Sequence, residues 1–409
     1  MLTTLAAFLT APALALQPAA LTNPGWDSTW PELEAPFLSN HRQITRREDF
    51  LKAGESYFNP AGNMVIFQGV PVPPEGEEPA EHYMMYVSTL GDEGPLTQVA
   101  AVSQPGSAST CGWFHPLKPD TFLLGTTTVP PSSEETAAYQ RESSKYSWDF
   151  PREMEIVVMT GQVAAVMSTE GGYNRFMARS TEPLFERDGY DAESSWSPDG
   201  RFVLYTHCEP GSNDGDLWIF DTTDESHTEL VAMPGYDGGP FFSPDGTRIC
   251  YRSDRGQNDL LQVYVSDLVF DEAGKVTAIT NETQLTENKH VNWAPFFTPD
   301  GEYLFYATSE LGHANYEVFA VSSKVGPGVR PQLRITHARG FDGLPVFNAQ
   351  GTKMMWTAQR GPQAEGEGKP SSQLWVADYD HEAFEAAYAK AWRELEAEMM
   401  QGAFKKKSP

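Results

Sequence analysis

Three cysteines are all the chain offers, Cys111, Cys208 and Cys250, and no two are spaced as Cys-x-x-Cys. A zinc knuckle or a thioredoxin-type redox pair therefore cannot be built from them. An odd count leaves no complete disulfide framework, and the expectation is three buried thiols acting as small hydrophobes. Basic residues are scarce: 29 Lys and Arg stand against 56 Asp and Glu, a formal net charge of -27. Such a surface repels phosphate backbones, which excludes nucleic acid and leaves basic surfaces, cations and neutral ligands as partners. Past the N-terminus no run reaches the length of a membrane-spanning helix, so no membrane span is expected. Gly-x-Ser-x-Gly, His-Glu-x-x-His and P-loop motifs are absent. The familiar serine-hydrolase, zinc-protease and nucleotide-binding signatures are thus missing.

Turn formers and aromatics are plentiful. With 34 Gly, 31 Pro and 12% aromatic residues in 409 positions, the chain reads as many short strands joined by tight reversals. One unit recurs: Trp196-Ser197-Pro198-Asp199-Gly200, Phe242-Ser243-Pro244-Asp245-Gly246, Phe297-Thr298-Pro299-Asp300-Gly301 and Phe347-Asn348-Ala349-Gln350-Gly351. Its glycines lie 46, 55 and 50 residues apart, close to the period of a four-stranded propeller blade, roughly 40 to 50 residues. Phe58-Asn59-Pro60-Ala61-Gly62 is an earlier copy, and Phe114-His115-Pro116 with Pro119-Asp120 is a degenerate one, which makes six. Pro presets φ in such a turn and Gly takes the left-handed position, so one strand ends at the aromatic and the next starts after the Gly.

β-former runs follow each turn, for example Phe202-Val203-Leu204-Tyr205 and Tyr303-Leu304-Phe305-Tyr306, and third strands such as Leu217-Trp218-Ile219-Phe220 come next. Leu96-Thr97, Leu285-Thr286 and Ile335-Thr336 mark fourth strands. The last blade has three strands of its own, and Gln43-Ile44-Thr45 carries the fourth-strand signature at the start of the chain. The expectation is an all-β, six-bladed β-propeller over residues 41–380, closed by its N-terminal strand as the outer strand of the last blade.

Outside it, residues 1–16 read as a signal peptide, with an apolar stretch from Leu5 to Leu16 and a small-x-small site at Ala13-Leu14-Ala15. Residues 17–40 read as a linker. The protein is then expected to be periplasmic or secreted. Blade two carries an insertion, polar from Pro130 to Ser144 and aromatic from Lys145 to Phe150. From His381 to Met400 the period changes: Phe384, Tyr388, Trp392, Leu395 and Met399 share one face of a short C-terminal α-helix, and residues 381–409 comprise this helix and a basic tail at Lys405-Lys406-Lys407.

The Ser-Pro-Asp-Gly blades resemble the TolB-type propeller family, also seen in the propeller domains of prolyl-oligopeptidase relatives. The resemblance covers about residues 40–380. It rests on Gly189-Tyr190-Asp191-Ala192-Glu193, Gly235-Tyr236-Asp237-Gly238-Gly239-Pro240 and Asn292-Trp293-Ala294-Pro295, each running on into its turn. It implies a propeller fold with little said of function. About 40 residues precede the first blade and a helix follows the last, so neither the α/β domain of TolB nor an appended hydrolase is expected.

Nine positions before the turn glycines stand Asp191, Asp237, Asn292 and Asp342, with Ala53 in the first blade. One reading is a ring of oxygens at the channel mouth that binds a ligand together with Glu193, or a divalent cation such as Ca²⁺ through Asp191, Asp237 and Asp342. The other is that each Asp bonds local backbone where its strand begins. Glu209 to Asp216 reads as an acidic connection between strands. His290, His313 and His337 keep open a metal-dependent propeller enzyme such as a polysaccharide lyase. The leading expectation is a non-enzymatic module that holds a protein or small ligand at the channel mouth. A structural part of a cell-envelope complex, through the C-terminal helix, is the third reading.

Overall fold

The computed structural model describes residues 29–131, 151–168 and 171–405. The expected signal peptide, residues 17–28, the insertion from residue 132 to Phe150, and Lys406 and Lys407 lie outside the described residues. The chain begins with α1 (Trp30–Glu34) and β1 (Leu38–Gln43), both in or at the edge of the expected linker. Blade one is β2 (Phe50–Phe58), β3 (Met64–Pro71), β4 (Met84–Thr89) and β5 (Ala100–Ala101). Blade two is β6 (Ser109–Phe114), β7 (Thr121–Thr126), β8 (Glu155–Ser168) and β9 (Gly171–Pro183). Blade three is β10 (Tyr190–Trp196), β11 (Phe202–Cys208), β12 (Gly215–Asp221) and β13 (Ser226–Val231). Blade four is β14 (Asp237–Phe242), β15 (Arg248–Ser253), β16 (Gln262–Phe270) and β17 (Val276–Gln284). Blade five is β18 (Asn292–Phe297), β19 (Tyr303–Thr308), β20 (Glu317–Ser322) and β21 (Leu333–Arg334). Blade six supplies β22 (Asp342–Phe347), β23 (Lys353–Ala358) and β24 (Gln373–Tyr379), before α2 (His381–Lys405). Six four-stranded antiparallel sheets result, and in the last the order is β1-β24-β23-β22. The N-terminal strand therefore closes the ring, with Arg42 opposite Val376 and Gln43 opposite Trp375.

The turn between first and second strands is stabilised in three chemical ways. In blades three to five the Ser or Thr hydroxyl donates to the turn Asp and accepts the N–H five residues on, as Ser197 does with Asp199 and Phe202. Asn does this alone in blades one and six: Asn59 Oδ1 accepts the N–H groups of Asn63 and Met64, and Asn348 Oδ1 those of Thr352 and Lys353. In blade two His115 Nδ1 accepts from Leu117 and Lys118. Each residue type offers a side-chain acceptor to the backbone of its turn, which is why the degenerate turn of blade two survives without its glycine.

Second strands are buried on both faces because blades stack face to face. Val203, Leu204 and Tyr205 are fully buried, as are Met354, Met355 and Trp356. The hydrophobic-Thr pairs sit just past the outer strands as caps. Thr286, Thr336 and Thr45 hydroxyls accept the N–H groups of Val263, Val318 and Leu374. In blade one this role falls to Ser103, which accepts from Met85. Leu96-Thr97 lies ahead of β5, with Leu96 N–H donating to Ile44 C=O. Glu209 to Asp216 is the β11–β12 connection, as expected, running into the start of β12.

Helix α2 docks by its first turns only. Phe384 and Tyr388 are buried, and the Tyr388 hydroxyl accepts from Ser322 N–H and donates to Pro331 C=O. Trp392 and Met399 on the same face are exposed. All three cysteines are free and buried. No helix among the described residues is long and apolar enough to cross a membrane.

Candidate functional site

Each innermost strand carries an irregularity at the same height. The ladder shifts register between Gly54 and Ser56, Thr110 and Trp113, Ala192 and Ser195, Gly238 and Phe241, Trp293 and Phe296, and Gly343 and Val346. At each bulge one residue adopts left-handed φ: Glu55 (34°), Cys111 (52°), Glu193 (54°), Gly239 (59°), Ala294 (51°) and Leu344 (57°). Five of the six are not glycine, so the conformation is imposed by the surrounding sheet rather than preferred by the residue. In blades four to six the next residue is Pro240, Pro295 or Pro345, which has no N–H for the ladder and so favours the bulge. All six left-handed residues line one cavity of about 420 Å³ on the propeller axis.

That cavity is a blind funnel. Two residues beyond the left-handed position stand Tyr57, Trp113, Phe241 and Phe296, whose rings meet across the axis. Centroids are 4.8 Å apart for Tyr57–Trp113, 5.7 Å for Tyr57–Phe241, 5.4 Å for Trp113–Phe241 and 5.2 Å for Phe241–Phe296. This aromatic floor closes the channel toward the Ser-Pro-Asp-Gly turns. The strands themselves supply further lining, and His82, Tyr83, Tyr316, Phe341, Gln359 and Ser372 add to it from loops at the opposite face, where the innermost strands begin.

The two acids of the funnel sit in different surroundings. Glu193 is saturated: Oε1 accepts from Arg252 Nη2 at 2.8 Å, and Oε2 accepts from Tyr236 OH (2.5 Å), Gly239 N–H (2.6 Å) and Thr206 OH (3.1 Å). Arg252 is itself buried and also donates to Tyr236 OH. Burial opposes its charge, but Glu193 and Tyr236 outweigh that and hold the guanidinium protonated. Gly238 and Gly239 make room for this cluster. A Cβ on Gly238 would lie 2.0 Å from Tyr236 OH, and one on Gly239 would lie 2.2 Å from Arg252 Nη1.

Glu55 is half-buried and has no basic partner within 4 Å among the described residues. Tyr57 OH donates to it at 2.9 Å and Thr110 OH lies 3.2 Å away. Thr110 OH is also 3.0 Å from Gln68 Oε1, and its single proton can serve only one of them. Burial, and secondarily the charge of Glu193, push the Glu55 carboxyl above the usual range. The Cys111 thiol between these acids is pushed up by burial and by both carboxylates, so it is no thiolate nucleophile. At the rim, Lys52 lies over the Tyr83 ring at 4.3 Å.

Of the residues nine positions before the turns, Ala53 lines the cavity and the four polar ones do not. Asp191, Asp237, Asn292 and Asp342 are fully buried and are not among the cavity's lining residues. Each is bonded within the fold, three of them to residues of the same blade or the loop leading into it, and Asn292 back to blade four. Asp191 meets His207 Nδ1 at 3.0 Å. Asp237 accepts from Met233 N–H, with Arg255 at 3.5 Å. Asn292 donates to Gln262 and Asn288. Asp342 accepts from Trp356 Nε1, and its Oδ2 is 2.8 Å from Arg360 Nη2. Asp191, Asp237 and Asp342 do not converge on a point. The one group of three metal-capable side chains within reach of one another among the described residues is Asp300, His381 and Glu385. There, His381 is already occupied by Asp300 at 2.9 Å and by Tyr379 OH. His290, His313 and His337 form no such group either.

Arg360 explains Asp342. The α1 segment lowers Glu34 into this blade, where its carboxylate pairs with Arg360 at 2.8 and 3.0 Å, with His41 at 2.8 Å, and accepts His337 N–H at 2.7 Å. Burial opposes the charge on Glu34, but Arg360 and these bonds hold its carboxyl down at about 2. Burial pushes Asp342 up to about 6, and Glu34 adds to that rise. Of the residues expected to bind, only Glu193 reaches the funnel. Counting back seven positions from each turn glycine, rather than nine, would have found Glu55 as well as Glu193.

No protein-family profile matches the chain. It is 30% identical over 169 residues to dipeptidyl-peptidase 5 of Porphyromonas gingivalis, a match covering 36% of this chain and 24% of that protein. It is 26% identical over 196 residues to the Tol-Pal system protein TolB of Wolinella succinogenes, covering 47% and 42%. Against TolB of Francisella tularensis it is 27% identical over 112 residues, covering 27% and 24%. The matched region thus spans between about a quarter and under half of these relatives' lengths. Among solved structures, TolB from Acinetobacter baumannii aligns with a TM-score of 0.46 at 16% identity, over 81% of this chain and 65% of that one. A putative TolB from Agrobacterium tumefaciens gives 0.44 at 14%, over 84% and 98%. By its repeat and its TolB sequence matches, the chain is a TolB-like six-bladed β-propeller.

Proposed function

We propose that this propeller is a non-enzymatic binding module of the exported compartment, taking a small ligand or a protruding segment of a protein partner into the funnel. The observation that carries the reading is the blind cavity, lined from all six blades, floored by aromatic rings and open at one face. Its volume of about 420 Å³ falls within the range of small-ligand sites, roughly 300–1,000 Å³. Export is supported by the apolar N-terminal segment and by the TolB matches, which are named as Tol-Pal system proteins. Partners of that kind are part of the proposal. The lyase alternative loses its proposed centre, because its three histidines do not gather with carboxylates among the described residues. An envelope-complex role through α2 retains only the exposed half of that helix in its favour.

The test fills the funnel. Leu344 already turns into it with left-handed φ, so Leu344→Trp adds bulk there without breaking a hydrogen bond. Ligand-observed NMR of a fragment set should give binders to the wild type that the variant loses, with melting temperatures within a few degrees. Binders that persist in Leu344→Trp, or a set without binders, would overturn the reading.

A further inference from the structure

The two glutamates hold equivalent bulge positions, yet only Glu193 has a cation in direct contact, and Glu55 feels Arg252 at longer range. Glu193 receives Arg252, a hydroxyl pair and a backbone N–H, and has no capacity left. Glu55 receives Tyr57 OH, the Cys111 thiol and a share of Thr110 OH, all of them neutral donors. A carboxylate has about four lone-pair sites; Tyr57, Thr110 and the Cys111 thiol take at most three of those on Glu55, and none of these donors carries a charge. An acid placed this way is costly to keep in a folded protein unless something pairs with it.

What surrounds Glu55 limits what that partner can be. Blades five and six supply a wall of Trp293, Phe341 and Leu344, and the floor adds Tyr57, Trp113, Phe241 and Phe296. Ring faces beside a carboxylate attract a cation twice, through the charge and through the π quadrupole, and more strongly where water is excluded. The apolar wall requires that the cation be carried on a hydrocarbon stem rather than arrive as a hydrated ion. A net charge of -27 draws such ligands toward the molecule.

We infer that the funnel's ligand presents an ammonium or guanidinium group on an aromatic or aliphatic stem, with Glu55 as its counter-charge. This rests on the funnel being a binding site at all. A lysine or arginine side chain of a peptide and a free monoamine share that chemistry, and probes of both kinds separate them.

The experiment titrates phenethylammonium, n-butylguanidinium and an N-acetyl-lysine methylamide against the full chain by calorimetry and ligand-observed NMR. Uncharged isosteres, 2-phenylethanol among them, run in parallel. At least one cation should bind ten-fold or more tighter than its isostere, Glu55→Gln should remove that advantage, and Leu344→Trp should abolish binding. Preference for the lysine derivative alone identifies a peptide source, and for the free amines alone a small-molecule source; both support the inference. Should the uncharged members bind as well as the cations and Glu55→Gln leave them unchanged, the inference falls while the funnel stands as a site. Should nothing in the panel bind, the inference falls, and the fragment set decides whether the funnel stands as a site.

Discussion

Two levels of the innermost strands differ by two residues in sequence and have opposite fates. At the upper level Asp191, Asp237, Asn292 and Asp342 are buried within their blades, bonded to His207, Arg255, Gln262 and Arg360. Two residues on, Glu55, Cys111, Glu193, Gly239, Ala294 and Leu344 line the axis. A regular strand returns each side chain to the same face after two residues, so an unbroken ladder would give both levels one wall. The bulge between them breaks the ladder and re-aims the second level. Polar residues of the upper level thus join blade to blade or strand to strand, and those of the lower level are available to whatever enters the funnel. Glu193 is the exception that belongs to both classes: it faces the axis but is tied to blade four through Arg252.

The comparison would break most sharply at Arg252. Arg252→Met leaves Glu193 buried with its hydroxyl and N–H donors but without a counter-charge. Removing one partner of a buried pair costs about 3–5 kcal/mol, readable as a lower urea midpoint. Adding Glu193→Gln should recover most of that loss, because the pair is then gone rather than halved. A single variant that unfolds like the wild type would place Glu193 with Glu55 as an axis residue only.

A smaller effect tests the upper level at Asp342, whose partner Arg360 is shared with Glu34. The folded-state carboxyl of Glu34 is depressed, from 4.5 to about 2. Its contribution is therefore present above the unfolded value and is lost as pH falls from about 4.5 to about 2. Glu34→Gln should cost about 3 kcal/mol at pH 7, and the gap between variant and wild type in chemical unfolding should close by pH 2. A gap that stays constant with pH would mean that Glu34 is held by packing and not by charge.

Much of this architecture is legible in the sequence because its signals are local. Six turn motifs at blade spacing, and the Thr of Gln43-Ile44-Thr45, act through bonds to residues a few positions away or through one cap, as Thr45 does on Leu374. The funnel was harder to read because its determinants are relations between blades. Tyr236 and Arg252 reach Glu193 from the next blade over two glycines, and a single sequence does not announce such a contact. The bulge was hidden for a different reason: a period-two reading assumes an unbroken strand, and only the prolines at 240, 295 and 345 hint otherwise. Helix α1 escaped notice because five residues are too few for a hydrophobic period, although Glu34 within it anchors blade six.

The smallest expected effect is on Glu55, and it sharpens the comparison most finely. Here the folded carboxyl is raised, mainly by burial. An acid with a raised folded value lowers stability as pH climbs past its unfolded value, and a neutral amide relieves this. Gln keeps an oxygen for Tyr57 OH, and its NH2 can donate to Thr110 OH, whose own proton then goes to Gln68 Oε1, so Glu55→Gln leaves no partner unpaired. Its stability at pH 7 should match the wild type or exceed it by up to about 0.5 kcal/mol, with the difference vanishing below about pH 4.5. Unfolding in urea at pH 7 and pH 4 measures both values. A loss of about 2 kcal/mol at pH 7 would show that Glu55, like Glu193, is held by its own fold, and the funnel would then contain no acid reserved for a ligand.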